Sequence, residues 1–483
     1  MNAAEVVSRH DPGHIAVVDG ARQVSYGELD ELVDRTASGL RTRGVTDRDQ
    51  VLVVAGTELA FVVAFLAVLR AGAIAVPLNP RAPVAELARR LEALDPRATL
   101  VGDVPPELPP GMDPVLGVAG RADDDIEVAD SAPTGATAGG GSEPGALLHT
   151  SGVTASPQLA SLSHANLIAA RRGLASQAGA ELDPATTALC ALPLYHVFGL
   201  NSLLGAVLEA GGTVVLAREY DVATTVELAA RHSVDAITAV PQMWKAWAAA
   251  GEDLAAAFGR VRRATSGSTH LPPAVRELAR DRLGLDVVEG YGLTETAGTI
   301  TRGSLPSRPG SVGRPLGAAE IRLVDDAGYE AAPGDRGQLW VRGPQVAAGY
   351  WRDPEATRAA FGSGGWHHTG DVGVIDDLGE LSIVDRHKDI VIVSGFNVSP
   401  AEVEDVLVAH PGVLRAAVVG QPDATTGERV VAHIVAAEGS LAFEDLIDHC
   451  RRHLARYKVP SHIEVASSLP LTTGGKSLRR TVS

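Results

Sequence analysis

Short aliphatic runs recur along this chain, spaced so that a helix fits between them. They are QVLVVAG from Gln50, AIAVPL from Ala73, ATLVG from Ala98, GALLHT from Gly145, TALCALPL from Thr187, GTVVLA from Gly212 and DAITAV from Asp235. The intervening segments include Ala/Leu/Arg-rich stretches such as PVAELARRLEAL and VATTVELAARH. Continuous apolar strands joined by helix-length connections pair in parallel and are covered on both faces. The pattern predicts an α/β fold: a large N-terminal domain of layered β-sheets covered by helices. For 483 residues, the prior at roughly 150 residues per domain is three units, or two if the α/β domain is large.

The character changes near residue 365. A hairpin-like stretch, VIDDLGELSIVDRHKDIVIVSG, is followed by SPAEVEDVLVAH, which reads as a helix with a capping box: Ser399 at the cap, Pro400 in the first turn, Glu402 three residues on. AAVVG and VVAHIVA read as strands. FEDLIDHCRRHLARYK reads as an amphipathic helix with Phe443, Leu446, Ile447, Cys450 and Leu454 on one face. These elements predict a small α+β C-terminal domain of about a hundred residues. The boundary falls within Asp385–Asp389, dividing the chain into 1–385 and 386–483. Arg121 to Gly145, acidic and then Gly/Ala/Ser-rich, reads as a mobile loop.

Composition excludes several classes. The net charge of −17 gives a field unsuited to nucleic acid or anionic membrane. From Arg451 to Ser483, however, seven basic residues stand against one acidic residue, Glu464; a solvated helix face or a patch for a small polyanion would both fit. Cys190 and Cys450 are the only cysteines, too few and too far apart for a disulfide framework or a cysteine metal site. This suits a reducing cytoplasm, and the N-terminal MNAAEVVSRHDPG lacks the pattern of a signal peptide. The most apolar run, Leu59 to Leu69, is too short for a bilayer span and predicts a buried helix.

Five segments carry candidate chemistry. TSGVTASPQ, Thr150 to Gln158, is a hydroxyl-rich loop after an apolar strand, able to offer hydroxyls and backbone N–H groups to phosphate, although an ordinary turn reads the same. EGYGLTETAG places Tyr291 on a Gly-flanked turn, suited to stacking on a base, and then Thr294 and Glu295, suited to phosphate and Mg²⁺. HTGDVG sets Asp371 on a tight turn, where a carboxylate can accept two ribose hydroxyls. Arg386 and Lys388 lie at the domain junction, and Lys476 on a Gly-rich tip in LPLTTGGKSLRR.

In their order and spacing, these segments resemble the adenylate-forming superfamily of acyl-CoA synthetases, aryl-CoA ligases, luciferases and peptide-synthetase adenylation domains. The resemblance covers nearly the whole chain, including VSYGELDELVDRTASGL, RAGAIAVPLNP, LPLYHVFGL and GQLWVRGPQVAAGYW. It implies ATP, Mg²⁺ and coenzyme A as cofactors and a small carboxylic acid as substrate. It makes Glu295 the Mg²⁺ ligand and Thr294 a phosphate contact. Gly290, Tyr291 and Gly292 would lie along adenine, with Gly267 and Ser268 at its other edge. Asp371 would hold the ribose with Arg386 nearby, and Lys388 and Gly395 would complete the nucleotide-side set at the hinge. Lys476 would be the adenylation lysine on a mobile C-terminal domain, and His196 the gate of the acyl site, although a satisfied core histidine reads the same.

The loop departs from the family pattern TSGTTGxPKG: Val153, Ala155, Gln158 and Leu159 replace Thr, Gly, Lys and Gly, while Thr150, Ser151, Gly152, Thr154 and Pro157 remain. The acyl pocket is expected from Phe198, Asn201, Gln242, Met243, Thr269, His270, Gly292 and Leu293. It looks largely apolar and without an Arg for a second carboxylate, which favours an aliphatic or aryl monoacid. An acid–CoA ligase is the leading expectation. Transfer of the acyl group to an amine or a carrier protein stays open, as do a non-catalytic acyl or nucleotide binder and a homo-oligomeric state.

Overall fold

A computed structural model describes residues 1–82, 84–103, 108–109, 115–117, 139–150, 158–177, 179, 181–250, 254–325, 327–386, 391–393, 396–423, 427–437, 443–454 and 456–469. The expected runs form strands. One sheet has six strands in the order Val115–Gly117, Pro96–Val101, Gln50–Val54, Ile74–Leu78, Pro144–His149 and Leu159–Ser163. It is parallel until its last pair, which is antiparallel. A longer path has a parallel centre, Val288–Leu293, Arg263–Ser266, Ala236–Ala239, Thr187–Cys190, Thr213–Leu216 and Ile15–Asp19. It continues on one side into an antiparallel run ending at Glu320–Val324.

The apolar run from Leu59 is the helix Leu59–Arg70, and every residue of it is buried. It packs on the helix Tyr26–Thr42 and on neighbouring strands. Fully burying each aliphatic side chain contributes on the order of 1.5–3 kcal/mol, so this helix anchors the core. Its terminal Arg70 is buried too, and survives there by pairing with Asp30 and Asp34, each at 2.6 Å. Among the described residues no helix is long and apolar enough to cross a membrane.

The C-terminal domain builds its own sheet from Val391–Val393, Phe396–Val398, Val413–Asp423, Gly427–Ala436 and His462–Val465. Its core holds Val403, Leu407, Leu446, Ile447, Cys450 and Leu454. Ser399 caps the helix Pro400–Ala409 as expected, while the Glu402 carboxylate engages Lys458 Nζ at 2.6 and 2.7 Å. Phe443 differs from expectation. It begins the helix Phe443–His453 and is half-exposed, because the apolar face joins the domain's core only from Leu446 onward. Most of the expected loop from Arg121 to Gly145 lies outside the described residues; its last two residues open the strand Pro144–His149.

Candidate active site

The hydroxyl-rich loop is held at its two ends. Pro144–His149 and Leu159–Ser163 pair antiparallel, and Thr150 N–H donates to Gln158 O at 2.9 Å. The loop therefore does not run directly into a helix. The segment LASLS pairs with the incoming strand, so the helix His164–Ala175 starts only after its Ser163 cap. Ser151, Gly152 and Thr154 lie outside the described residues, as do Lys388, Gly395 and Lys476.

Tyr291 lies on the strand Val288–Leu293, not on a turn, because residues 290–293 pair with Gly298–Arg302. Its hydroxyl donates to Asp371 Oδ2 at 2.6 Å. Asp371 likewise sits within a strand, His367–Ile375, made irregular by Gly370 at φ +75°. Its N–H is held by Thr369 Oγ1 at 3.0 Å, and its register partner is Arg386. The two residues expected at adenine and ribose are therefore in direct contact.

The strand carrying Tyr291 runs into a single turn, Thr294–Thr296, closed by Ala297 in the left-handed region at φ +53°. Such backbone strain in a non-glycine residue is characteristic of functional sites. Thr294 is buried. The Glu295 carbonyl accepts from Ala347 N–H at 2.7 Å, and Glu295 Oε1 accepts from the Tyr350 hydroxyl at 2.8 Å. Burial, and then the Glu295 charge, push the Tyr350 phenol up, so it stays a donor. Among the described residues no group of three His, Cys, Asp or Glu could enclose a metal. The donor chemistry here, one hard carboxylate oxygen beside a threonine, suits a Mg²⁺ ion that brings its other oxygens from phosphate and water.

The large domain also holds a cavity of about 360 Å³. His196, Phe198, Gln242, Met243 and Ser268 line it, five of the residues expected at the site. Phe198 opens a π-helical segment, Phe198–Gly205, and its ring lies against Gly267, where an added Cβ would stand 2.6 Å from the ring. Ser268 is held at φ +72°. Burial lowers the pKa of His196, so its ring is neutral, and Nδ1 faces the Phe198 N–H at 3.5 Å.

Five expected pocket residues do not line it, and two of these are engaged elsewhere. Asn201 is 1% exposed and fully engaged: Nδ2 donates to Leu167 O and Ala297 O, and Oδ1 accepts from Arg171 Nε at 2.6 Å. It satisfies a buried cation instead of meeting substrate. His270 lies between Glu289 Oε1 (3.3 Å) and Asp405 Oδ2 (3.0 Å), the latter on the C-terminal domain. Burial alone would lower its pKa; the two carboxylates outweigh that and push it up to about 10. Gln242 also reaches across, accepting from Arg415 Nη2 at 3.2 Å. Thr269, Gly292 and Leu293 do not line the cavity.

The expectation of a pocket without arginine is corrected as well: Arg81 and Arg218 line the cavity. Arg218 grips Asp19 with two bonds of 2.8 Å and Asp103 at 2.6 Å, and Arg81 pairs with Glu219. Both cations are thus already met by carboxylates. For Arg218 the sequence signal was AREY directly after the strand Thr213–Leu216, where a side chain reaches the C-terminal edge of the sheet.

The layered α/β domain with its small C-terminal partner, together with the matches that follow, defines an adenylate-forming enzyme. The chain belongs to the AMP-binding enzyme family, whose model matches residues 4–351, and the AMP-binding enzyme C-terminal domain matches residues 402–476. It is 34% identical to a feruloyl-CoA synthase of an Amycolatopsis species, over 98% of this chain and 96% of the relative. It is 38% identical to a long-chain-fatty-acid–CoA ligase of Escherichia coli O157:H7, over 69% of this chain and 60% of the relative. Among solved structures, ATP-bound MatB from Rhodopseudomonas palustris superposes with a TM-score of 0.88 at 30% identity, covering 100% of this chain and 98% of that one. The amide bond synthetase McbA from Marinactinospora thermotolerans superposes at 0.87 with 30% identity, over 99% and 98%.

Proposed function

We propose that the chain is an ATP-dependent acid–CoA ligase that activates an apolar aliphatic or aryl monoacid as its acyl-adenylate and passes it to coenzyme A. The observation that carries this reading is the contact between Tyr291 and Asp371 on a strand that runs on directly into Thr294 and Glu295. The relatives named above supply the reaction type, and the carboxylates already paired with Arg81 and Arg218 favour a monoacid over a diacid.

A carboxylate is a poor electrophile, because its oxygen leaves badly. Attack on the α-phosphate of ATP turns that oxygen into a good leaving group, but brings two anions together. Countercharge is therefore the central need. Tyr291 offers its ring to adenine, and Asp371 accepts the ribose hydroxyls in exchange for the Tyr291 hydroxyl. The hydroxyls of the Thr150–Gln158 loop and Thr294 take the phosphates. Glu295 would hold Mg²⁺, which supplies charge neutralisation at the phosphates when bound. Lys476 brings an ammonium to the adenylation step. We assign residues 1–385 and 386–483 to two units with Lys388 at their hinge, so that Lys476 can enter for adenylation and withdraw before the thiol attacks. Two buried free cysteines fit a cytoplasmic location.

A second reading rests on the match to McbA, as close as that to MatB: the acceptor is an amine instead of the CoA thiol. Acyl-adenylate made in the presence of each acceptor separates the two. Thioester without amide supports the first, and amide without thioester the second.

A further inference from the structure

We propose that Tyr350 is a positioning residue for the Glu295 carboxylate, and that it ties this carboxylate to the strand leaving the phosphate loop. The inference rests on the reading of Glu295 as the Mg²⁺ ligand. The Tyr350 hydroxyl donates to Glu295 Oε1 at 2.8 Å, and among the described residues no hydrogen bond engages Oε2. One oxygen is thereby fixed and the other left for a cation. A carboxylate held this way by an outer partner keeps one rotamer, so a metal need not order it.

The phenol itself is rigidly held. Its ring packs edge-on against Phe361, with centroids 5.5 Å apart. Its N–H donates to Thr357 Oγ1 at 2.9 Å. Gly349 before it is buried at φ +156°, where a Cβ would collide with Thr357. The turn is also bonded to the segment that follows the loop: Ser161 N–H donates to Gly349 O at 3.1 Å, Trp351 N–H donates to Leu159 O at 2.7 Å, and Ala160 bridges Tyr350. Leu159 comes one residue after Gln158, the end of the loop. A displacement of this strand is thus carried to Tyr350 and on to Glu295. The sequence segment GQLWVRGPQVAAGYW contains this tyrosine without announcing any role for it.

The test is metal binding, read apart from turnover. The enzyme with α,β-methylene-ATP is titrated with Mn²⁺, and free Mn²⁺ is followed by its electron paramagnetic resonance signal. Tyr350→Phe keeps the ring on Phe361 and removes only the donor; its Mn²⁺ affinity should fall on the order of tenfold. The Mg²⁺ half-saturation of pyrophosphate release should shift by the same factor, with the KM for the acid unchanged. Thr357→Val, which loosens the turn without touching the phenol, should move the curve in the same direction by less, and serves if Tyr350→Phe does not fold. Phe361→Leu, which removes the ring that Tyr350 packs on, should likewise move the curve in the same direction by less. An unchanged Mn²⁺ curve in Tyr350→Phe, with Glu295→Gln shifted, overturns the positioning role and spares the metal reading. If Glu295→Gln also leaves the curve unmoved, both are wrong.

Discussion

Asp405→Ala removes one side of the ionic link that His270 makes between the two domains. His270 Nε2 lies 3.0 Å from Asp405 Oδ2, and the two side chains are 30% and 27% exposed. Solvent reaches such a pair and weakens it, so the link is worth about 1 kcal/mol, or roughly fivefold in the balance between domain arrangements. The Glu289 side of the bridge survives, because that carboxylate is buried against Arg276 and the Leu271 N–H. The sign with pH follows from His270, whose pKa is raised to about 10 in this arrangement by Asp405 and Glu289 together, of which Glu289 keeps its contact when Asp405 is removed. The link is therefore present while His270 is protonated and fades as pH rises through about 10. The assay measures acyl-AMP formation without CoA, and thioester formation from supplied acyl-AMP, separately between pH 6.5 and 10. In Asp405→Ala the half-reaction served by the linked arrangement should slow while the other does not, changing their ratio about fivefold at pH 6.5 and by less at pH 10. Equal slowing of both, or a ratio independent of the substitution at every pH, would refute the reasoning.

Lys476→Ala should lower acyl-AMP formation on the order of a hundredfold, as expected for one cationic contact in a dry site, while CoA still consumes supplied acyl-AMP; single-turnover assays of each step decide it. Gln158→Lys should lower the KM for ATP severalfold with the preference among acids unchanged, since a charged donor exceeds a neutral one by about 1 kcal/mol; an unaltered ATP dependence would mean that residue 158 does not face the phosphates. Asn201→Ala strips Arg171 of its side-chain acceptor inside the fold, and should cost about 2–4 kcal/mol in chemical denaturation without changing acid preference. A changed preference at unchanged stability would return Asn201 to the acyl pocket.

What was legible in the sequence was whatever depends on local pattern. The aliphatic runs from Gln50, Ala73 and Thr187 became strands because continuous apolar segments bury both faces of a parallel sheet. The buried helix from Leu59 and the Ser399 cap followed from the same local rules. Tyr291, Thr294, Glu295 and Asp371 stood out by residue type, and the fold brings Tyr291 to Asp371 across 80 positions of sequence. What was hidden depends on partners far along the chain. Nothing near Asn201 indicates that Arg171 and two distant carbonyls use up its amide. His270 looked like a pocket residue until the C-terminal Asp405 was seen against it. Arg81 and Arg218 reach the cavity from segments 137 positions apart in sequence, by subtraction of their numbers, and no local pattern links them. The strand after the hydroxyl-rich loop was hidden because LASLS is short and its partners lie across the loop, at Pro144–His149, and far along the chain, at Gly349–Trp351.

The central claim is that this chain joins a carboxylic acid to ATP and then to a thiol. Pyrophosphate release across a panel of aliphatic, aryl and dicarboxylic acids, each with and without CoA, tests it most directly. The account predicts ATP-dependent release with an apolar monoacid, little with diacids, and AMP and acyl-CoA in equal amounts once CoA is present. Absence of pyrophosphate with every acid, while ATP still binds, would contradict it.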